Sequence, residues 1–193
     1  YTFDKAKLIV REMTELLVLD LVDKELVTNQ IVLTIGYDIE NLSNPNARQA
    51  YQGAVTTDHY GRSVPKHAHG TGNLAIYTSS TKLIMEAVME LFQRIVDKNL
   101  LVRRVNLVAN RVVAESSAPK ADGYAQLDLF TDYAAEQEKQ QKLEVELARE
   151  KKAQQAMLTI KKKYGKNAIL KGMNLQEGAT TKDRNEQIGG HKK

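Results

Sequence analysis

From Gln30 to Ile39 the chain reads QIVLTIGYDI, in which Ile31, Leu33, Ile35, Tyr37 and Ile39 alternate with Val32, Thr34, Gly36 and Asp38. Side chains of an extended strand point to opposite sides in turn, so this period of two demands a sheet with one buried face and one more polar face. The rest of the chain must then supply an apolar layer for the buried side. Two amphipathic stretches can do so. The first runs from Thr2 to about Leu26, where Ile9, Met13, Leu16, Leu17 and Leu21 recur at three- and four-residue steps and Thr2 or Asp4 is placed to cap the first turn. The second, SSTKLIMEAVMELFQRIVDKN, opens on a Ser/Thr cap and sets Ile84, Val88, Leu91, Phe92 and Ile95 on one face.

Two more strands share the pattern. In HAHGTGNLAIYT, Gly70 and Gly72 predict a bulge or a close approach by another backbone. In LLVRRVNLVANRVV, Val105, Leu107 and Ala109 face inward and Arg104, Asn106, Val108 and Asn110 outward. Residues 40–65, rich in Asn, Gly, Asp and Pro, predict a loop. The order helix, strand, strand, helix, strand is an α+β arrangement, and two helices on one face of the sheet leave the other face free.

Residues 1–114 form that domain. Beyond it, residues 115–125 (ESSAPKADGYA) have the composition of a linker. Residues 131–164 are rich in helix formers but poor in apolar residues, predicting a charged helix that is marginal alone. Residues 165–193 mix Ile169, Leu170, Met173 and Leu175 with glycine and charge, a basic and partly disordered tail that orders only against something else. Charge is divided unevenly: residues 1–115 hold 13 Lys and Arg against 13 Asp and Glu, whereas residues 151–193 hold 11 against 3. Such a tail suits nucleic acid or an acidic partner.

Catalytic chemistry finds little purchase. With 0 Cys there is no disulfide, thiolate metal site or cysteine nucleophile, which suits a reducing cytoplasm. No apolar run reaches the roughly 18 residues of a membrane span, so no membrane partner is expected. His67 and His69 share a strand face without a third metal ligand, no glycine-framed serine is present, and the Gly70–Gly72 stretch lacks the spacing of a phosphate loop. Binding signals are better. The open face would present His67, His69, Thr71, Asn73, Tyr77, Arg104, Asn106 and Asn110, with Lys66 and Arg103 near the rim, a set of donors suited to phosphates without sequence readout. QLDLF, Gln126 to Phe130, follows the linker and places Leu127, Leu129 and Phe130 where a staple for the next helix or a short linear motif would have them. As a motif, it would seat those side chains in an apolar groove while the Gln126 amide hydrogen-bonds.

QLDLF is similar to the pentapeptide by which bacterial polymerases and repair proteins bind the sliding clamp, and it lies where error-prone Y-family polymerases carry that motif. The domain before it resembles their little finger. IGYDIENLSNPN, TTDHYGRSVPKHAHGTGNL, YTSSTKLIMEAVMELF and the stretch KKKYGKNAILKGMNLQEGATTKDRNEQIGGHKK resemble the UmuC-like polymerases (ImpB/MucB/SamB type) of Gram-positive bacteria and their phages or plasmids. This resemblance implies the C-terminal part of a translesion polymerase acting in DNA repair and the SOS response. It implies duplex DNA (primer–template) held by Lys66, His67, His69, Thr71, Gly72, Asn73, Arg103, Arg104 and Asn106, and the sliding clamp held by Gln126, Leu127, Asp128, Leu129 and Phe130. The catalytic palm and its Mg belong upstream, so no cofactor and no polymerisation are expected of this part. The family's little finger is βαββαβ; its first strand should precede Thr2, and an unpaired strand edge would invite a homo-oligomer. The competing reading is an interaction module that recruits a recombinase filament or another repair protein, with little DNA affinity.

Overall fold

The computed structural model describes residues 1–119, 133–188 and 191–192. The QLDLF segment, Gln126 to Phe130, lies outside the described residues, as does most of the linker.

Helix α1 (Phe3–Asp23) starts at Thr2, whose backbone is extended but whose side chain makes no capping bond. It ends where Glu25 takes a left-handed conformation (φ 54) and turns the chain into β1 (Leu26–Tyr37). The positions that alternate toward the core in β1 are those read from the sequence: Ile31, Leu33 and Ile35 are fully buried and Tyr37 nearly so. Strand β1 is the middle of the sheet. It runs antiparallel to β4 (Ala68–Thr78) on one side and to β5 (Val102–Asn110) on the other, where β6 (Val113–Ala114) continues the β5 ladder onto Val27 and Leu26. Helix α4 (Thr81–Ile95) begins at Ser80, whose hydroxyl accepts from Leu83 N, and lies beside α1 on one face of the sheet. The core is built of Ile31, Leu33 and Ile35 from β1, Ile84, Val88, Leu91 and Phe92 from α4, and Ala6, Val10, Val18 and Leu21 from α1. Each of the larger side chains contributes roughly 1.5–3 kcal/mol by leaving water.

Two expectations are corrected and two others gain detail. The stretch 40–65 is not a simple loop: it folds into α2 (Glu40–Ser43), α3 (Pro45–Ala50) and a hairpin of β2 (Val55–Thr57) and β3 (Ser63–Pro65). Gly70 and Gly72 do not make the bulge in β4, which falls between Asn73 and Thr78, where the register against β1 shifts. They lie under α4 instead. A Cβ on Gly70 would come 2.8 Å from Leu91 Cδ1, and one on Gly72 would come 3.6 Å from Ala87 O. On α1, Ala6, Val10, Thr14, Val18 and Leu21 face the core, while Ile9, Met13, Leu16 and Leu17 are half-buried. Ile9 and Met13 line a cleft of about 410 Å³ with Tyr1, Val102 and Val105, at the side where the sheet ends in β5.

The C-terminal extension does order against a partner, and that partner is the domain itself. Helix α5 (Tyr133–Tyr164) packs along α1, and after it a 3-10 turn (Gly172–Leu175), α6 (Thr181–Asn185) and a short hairpin of β7 (Gln187–Ile188) and β8 (His191–Lys192) follow. The turn and α6 rest on the side of α1 that faces away from the sheet, burying Leu8 and Glu12. Basic residues of the extension meet acids of the domain: Lys151 pairs with Glu115, Lys162 with Asp23, Lys171 with Glu15 at 2.6 Å and Arg184 with Glu12 at 3.5 Å. Among the described residues no helix is long and apolar enough to cross a membrane.

Candidate nucleic-acid interface

With α1, α4 and the extension on one side, the other side of the sheet stays open, and its polar positions fall into cross-strand rows. Thr34 on β1 stands between His69 on β4 and Asn106 on β5; Gln30 stands between Asn73 and Asn110. These rows are knit by side chains. Thr34 Oγ1 lies 2.9 Å from His69 Nδ1, Gln30 Nε2 donates to Asn73 Oδ1 at 2.9 Å, and Asn110 Nδ2 donates to Gln30 Oε1 at 3.2 Å. Between them, Val32 opposes Thr71 and Val108. Residues on one side of a strand are fixed by the pleat, so burying Ile31, Leu33 and Ile35 obliges Gln30, Val32 and Thr34 to face out. The result is a flat field of hydroxyl, amide and imidazole groups with exposed Arg104 at one end, opposite Gly36. A Cβ on Gly36 would come 3.2 Å from Arg104 Cβ, so the glycine leaves that arginine room.

At the Arg104 end the field runs into a cleft of about 630 Å³, walled by the β2–β3 hairpin and floored by Thr34, Gly36, Arg104 and Asn106. His67 and Arg103 also line it. Its charges are largely paired off: Asp38 lies 3.7 Å from Arg103 and Asp58 2.7 Å from Arg62. Asp58 also accepts from Tyr60 N and Arg62 N, both at 2.9 Å, and these bonds, led by that of the Arg62 side chain, hold its carboxyl below the usual aspartate range. Among the described residues no ion pair engages Arg104, which leaves it the cleft arginine open to an anion.

The residues expected to bind DNA divide accordingly. His69, Thr71, Asn73, Arg104 and Asn106 share the open face, with His67 and Arg103 at its cleft end. Lys66 is exposed just before β4, its backbone N–H donating to Ala54 O at 2.8 Å. Gly72 does not belong with them, since it pairs with buried Ile31 and faces α4. Tyr77 is also elsewhere: past the β4 bulge it lines a cleft against α5. Gln30 and Thr34, the centre of both rows, were legible as outward residues of β1 yet missing from the expected set. Arg62 and Tyr60 were hidden in what read as loop. Among the described residues no three His, Asp or Glu side chains converge as a metal centre.

An open antiparallel sheet with two helices behind it is the frame expected of a little finger, and sequence comparison agrees. Residues 1–129 match the impB/mucB/samB family C-terminal domain. The chain belongs to the impB/mucB/samB family. It is thus the C-terminal region of a UmuC-like Y-family polymerase, and the match reaches into the QLDLF segment. No curated protein and no solved structure matches the chain. In this impB/mucB/samB domain the helical side is occupied by the chain's own extension, which leaves the sheet face as the broad polar surface.

Proposed function

We propose that this chain grips duplex DNA with its open sheet face and tethers its polymerase to the sliding clamp through Gln126, Leu127, Asp128, Leu129 and Phe130, in translesion synthesis during DNA repair and the SOS response. The observation that carries the reading is the polar field of β1, β4 and β5 ending at Arg104, which no ion pair engages among the described residues. Hydroxyl, amide and imidazole groups hydrogen-bond phosphate oxygens without reading bases, which suits an enzyme that must accept any sequence around a lesion. Arg104 supplies the charge, with His67, Arg103 and Asn106 around it. Nucleotide addition, with its Mg, is the task of the polymerase's palm.

Fluorescence anisotropy tests both halves. The chain should bind a labelled duplex with an affinity that falls linearly on a log–log plot against salt, by about 0.9 per phosphate neutralised, and Arg104→Gln should weaken it. A shallow or absent salt dependence would favour the interaction-module reading. Against a bacterial sliding clamp, saturable binding abolished by Leu127→Ala with Phe130→Ala supports the tether; equal binding by that double variant makes those side chains packing residues.

A further inference from the structure

The β2–β3 hairpin ends in an aromatic side chain that takes no part in the domain's core. Tyr60 is 78% exposed, on a turn closed by a set of hydrogen bonds. Asp58 accepts from Tyr60 N, Arg62 N and, at 2.8 Å, Arg62 Nε, while Asp58 N donates to Arg62 O and Gly61 N to Asp58 O. Gly61 takes the left-handed conformation (φ 76) that the turn needs. On this base the Tyr60 ring is propped from two directions: the Arg62 guanidinium lies 5.0 Å from its centroid, and His59 meets it edge-on with centroids 5.4 Å apart. An aromatic ring backed by a cation and open on its remaining face is a stacking platform, and one already held in place loses little entropy on binding. Its neighbours His59 and Arg62 line the cleft at the Arg104 end of the sheet face.

We propose that Tyr60 stacks on an unpaired base of DNA seated on that face, so that the domain distinguishes a duplex ending in a single-stranded overhang from a blunt one. The inference rests on the reading that the open face holds DNA. Every base has a π-face, so the contact tolerates any sequence, as template near a lesion requires. Asp58 neutralises Arg62, and for that reason the tip holds the ring without adding a strong phosphate site of its own.

The test uses the full chain and three labelled DNAs of equal duplex length: blunt, with a short 5′ overhang, and with the same overhang made of abasic residues. Wild type should prefer the overhang to the blunt duplex by about ten-fold. Tyr60→Ala should lose the preference while keeping blunt-duplex affinity and the thermal midpoint; Tyr60→Phe should keep it. The abasic overhang should bind like the blunt duplex. A preference that survives Tyr60→Ala, or one equally strong for the abasic overhang, overturns the proposal by assigning the gain to phosphates. Blunt-duplex binding with no overhang preference overturns this inference and leaves the proposed function standing. Failure of wild type to bind any of the three sinks the DNA reading itself.

Discussion

Glu12 has none of its surface exposed and four hydrogen-bond donors around its carboxylate. Asn174 Nδ2 (3.0 Å) and Thr181 N (3.2 Å) reach Oε1, while Thr180 N (2.8 Å) and Thr180 Oγ1 (3.1 Å) reach Oε2. Burial alone pushes this carboxyl up, but the bonds from Asn174, Thr180 and Thr181 outweigh it and hold it below the usual glutamate range. A lowered folded-state pKa means stability that is present above the unfolded value and lost as pH falls through the folded one. Docking of residues 172–186 should therefore be complete at neutral pH and released from about pH 4 downward, as hydrogen exchange by mass spectrometry would show. Glu12→Gln sets an amide N–H₂ against backbone donors and should cost about 1–3 kcal/mol, with faster exchange confined to the extension. Unchanged exchange there would mean the apolar contacts suffice. No local pattern could have shown this residue's role, since its partners lie more than 160 positions away. The glycines were better placed: that Gly70 and Gly72 admit a neighbour was readable, though not which. Gly70→Ala must displace Leu91, itself 1% exposed, and should destabilise by about 1–3 kcal/mol in denaturant titration. Gly72→Ala meets ordinary contact distances and should gain about 0.5 kcal/mol by restricting the unfolded chain. Equal effects at both sites would refute the close-approach account.

At the scale of elements, β1, β4, β5 and α4 were legible because each carries its period in its own residues, whereas α1, buried on two sides, was legible as a helix but not for which of its residues meet the sheet. Helix α5 was legible as a helix but not as a docked one, for apart from Leu158, which packs against the core, its anchoring bonds to the domain are made by polar side chains. Glu150 accepts from Ser80 Oγ at 2.6 Å and Lys82 N at 3.1 Å, placing a carboxylate on the first turn of α4. Gln154, 5% exposed, donates to Ser79 O at 3.0 Å and Thr81 Oγ1 at 2.9 Å. An apolar-periodicity reading scores such residues as solvent-facing. Replacing both by Ala should leave the sheet intact and make α5 susceptible to limited proteolysis near residues 150–160; resistance equal to wild type would place the docking energy elsewhere, at Leu158. The edge of β5 is the second elemental matter. Tyr1 N lies 2.9 Å from Val102 O and Val102 N donates to Tyr1 O at 2.8 Å, a two-bond pair that starts a ladder on the far side of β5 without extending it. Beside it lies the cleft lined by Ile9, Met13 and Val105. A strand laid there would continue the ladder and cover those side chains, which the three- and four-residue spacing of α1 had grouped on one face with Leu16, Leu17 and Leu21. In isolation this chain should self-associate through that edge at high concentration, and light scattering that finds only monomer would count against it.

For the whole molecule the organising quantity is charge. The 13 cations and 13 anions of residues 1–115 cancel on paper, but they are not spread evenly in space. Glu12, Glu15, Asp23 and Glu115 pair with Arg184, Lys171, Lys162 and Lys151 of the extension, around α1 and away from the open sheet face. The basic extension thus neutralises acids on the helical side, and Arg104 on the open face acts in a weaker opposing field. These pairs commit part of the extension's charge to folding rather than to nucleic acid, where the sequence left nucleic acid, an acidic partner or a solvated tail with no partner open. A salt titration separates the two. Phosphate contacts add about 0.9 each to the slope of log affinity against log salt, whereas cations more than a Debye length of about 10 Å from the phosphates add little. Arg104→Gln should lower the duplex slope by about one. Replacing the exposed lysines Lys152, Lys163 and Lys166 by Gln should leave it unchanged, because these sit on the helical side with α5 and the turn that follows it. A drop of two or three in the triple variant, with Arg104→Gln inert, would move the DNA from the sheet face to the extension and return the open field of β1, β4 and β5 to a protein partner.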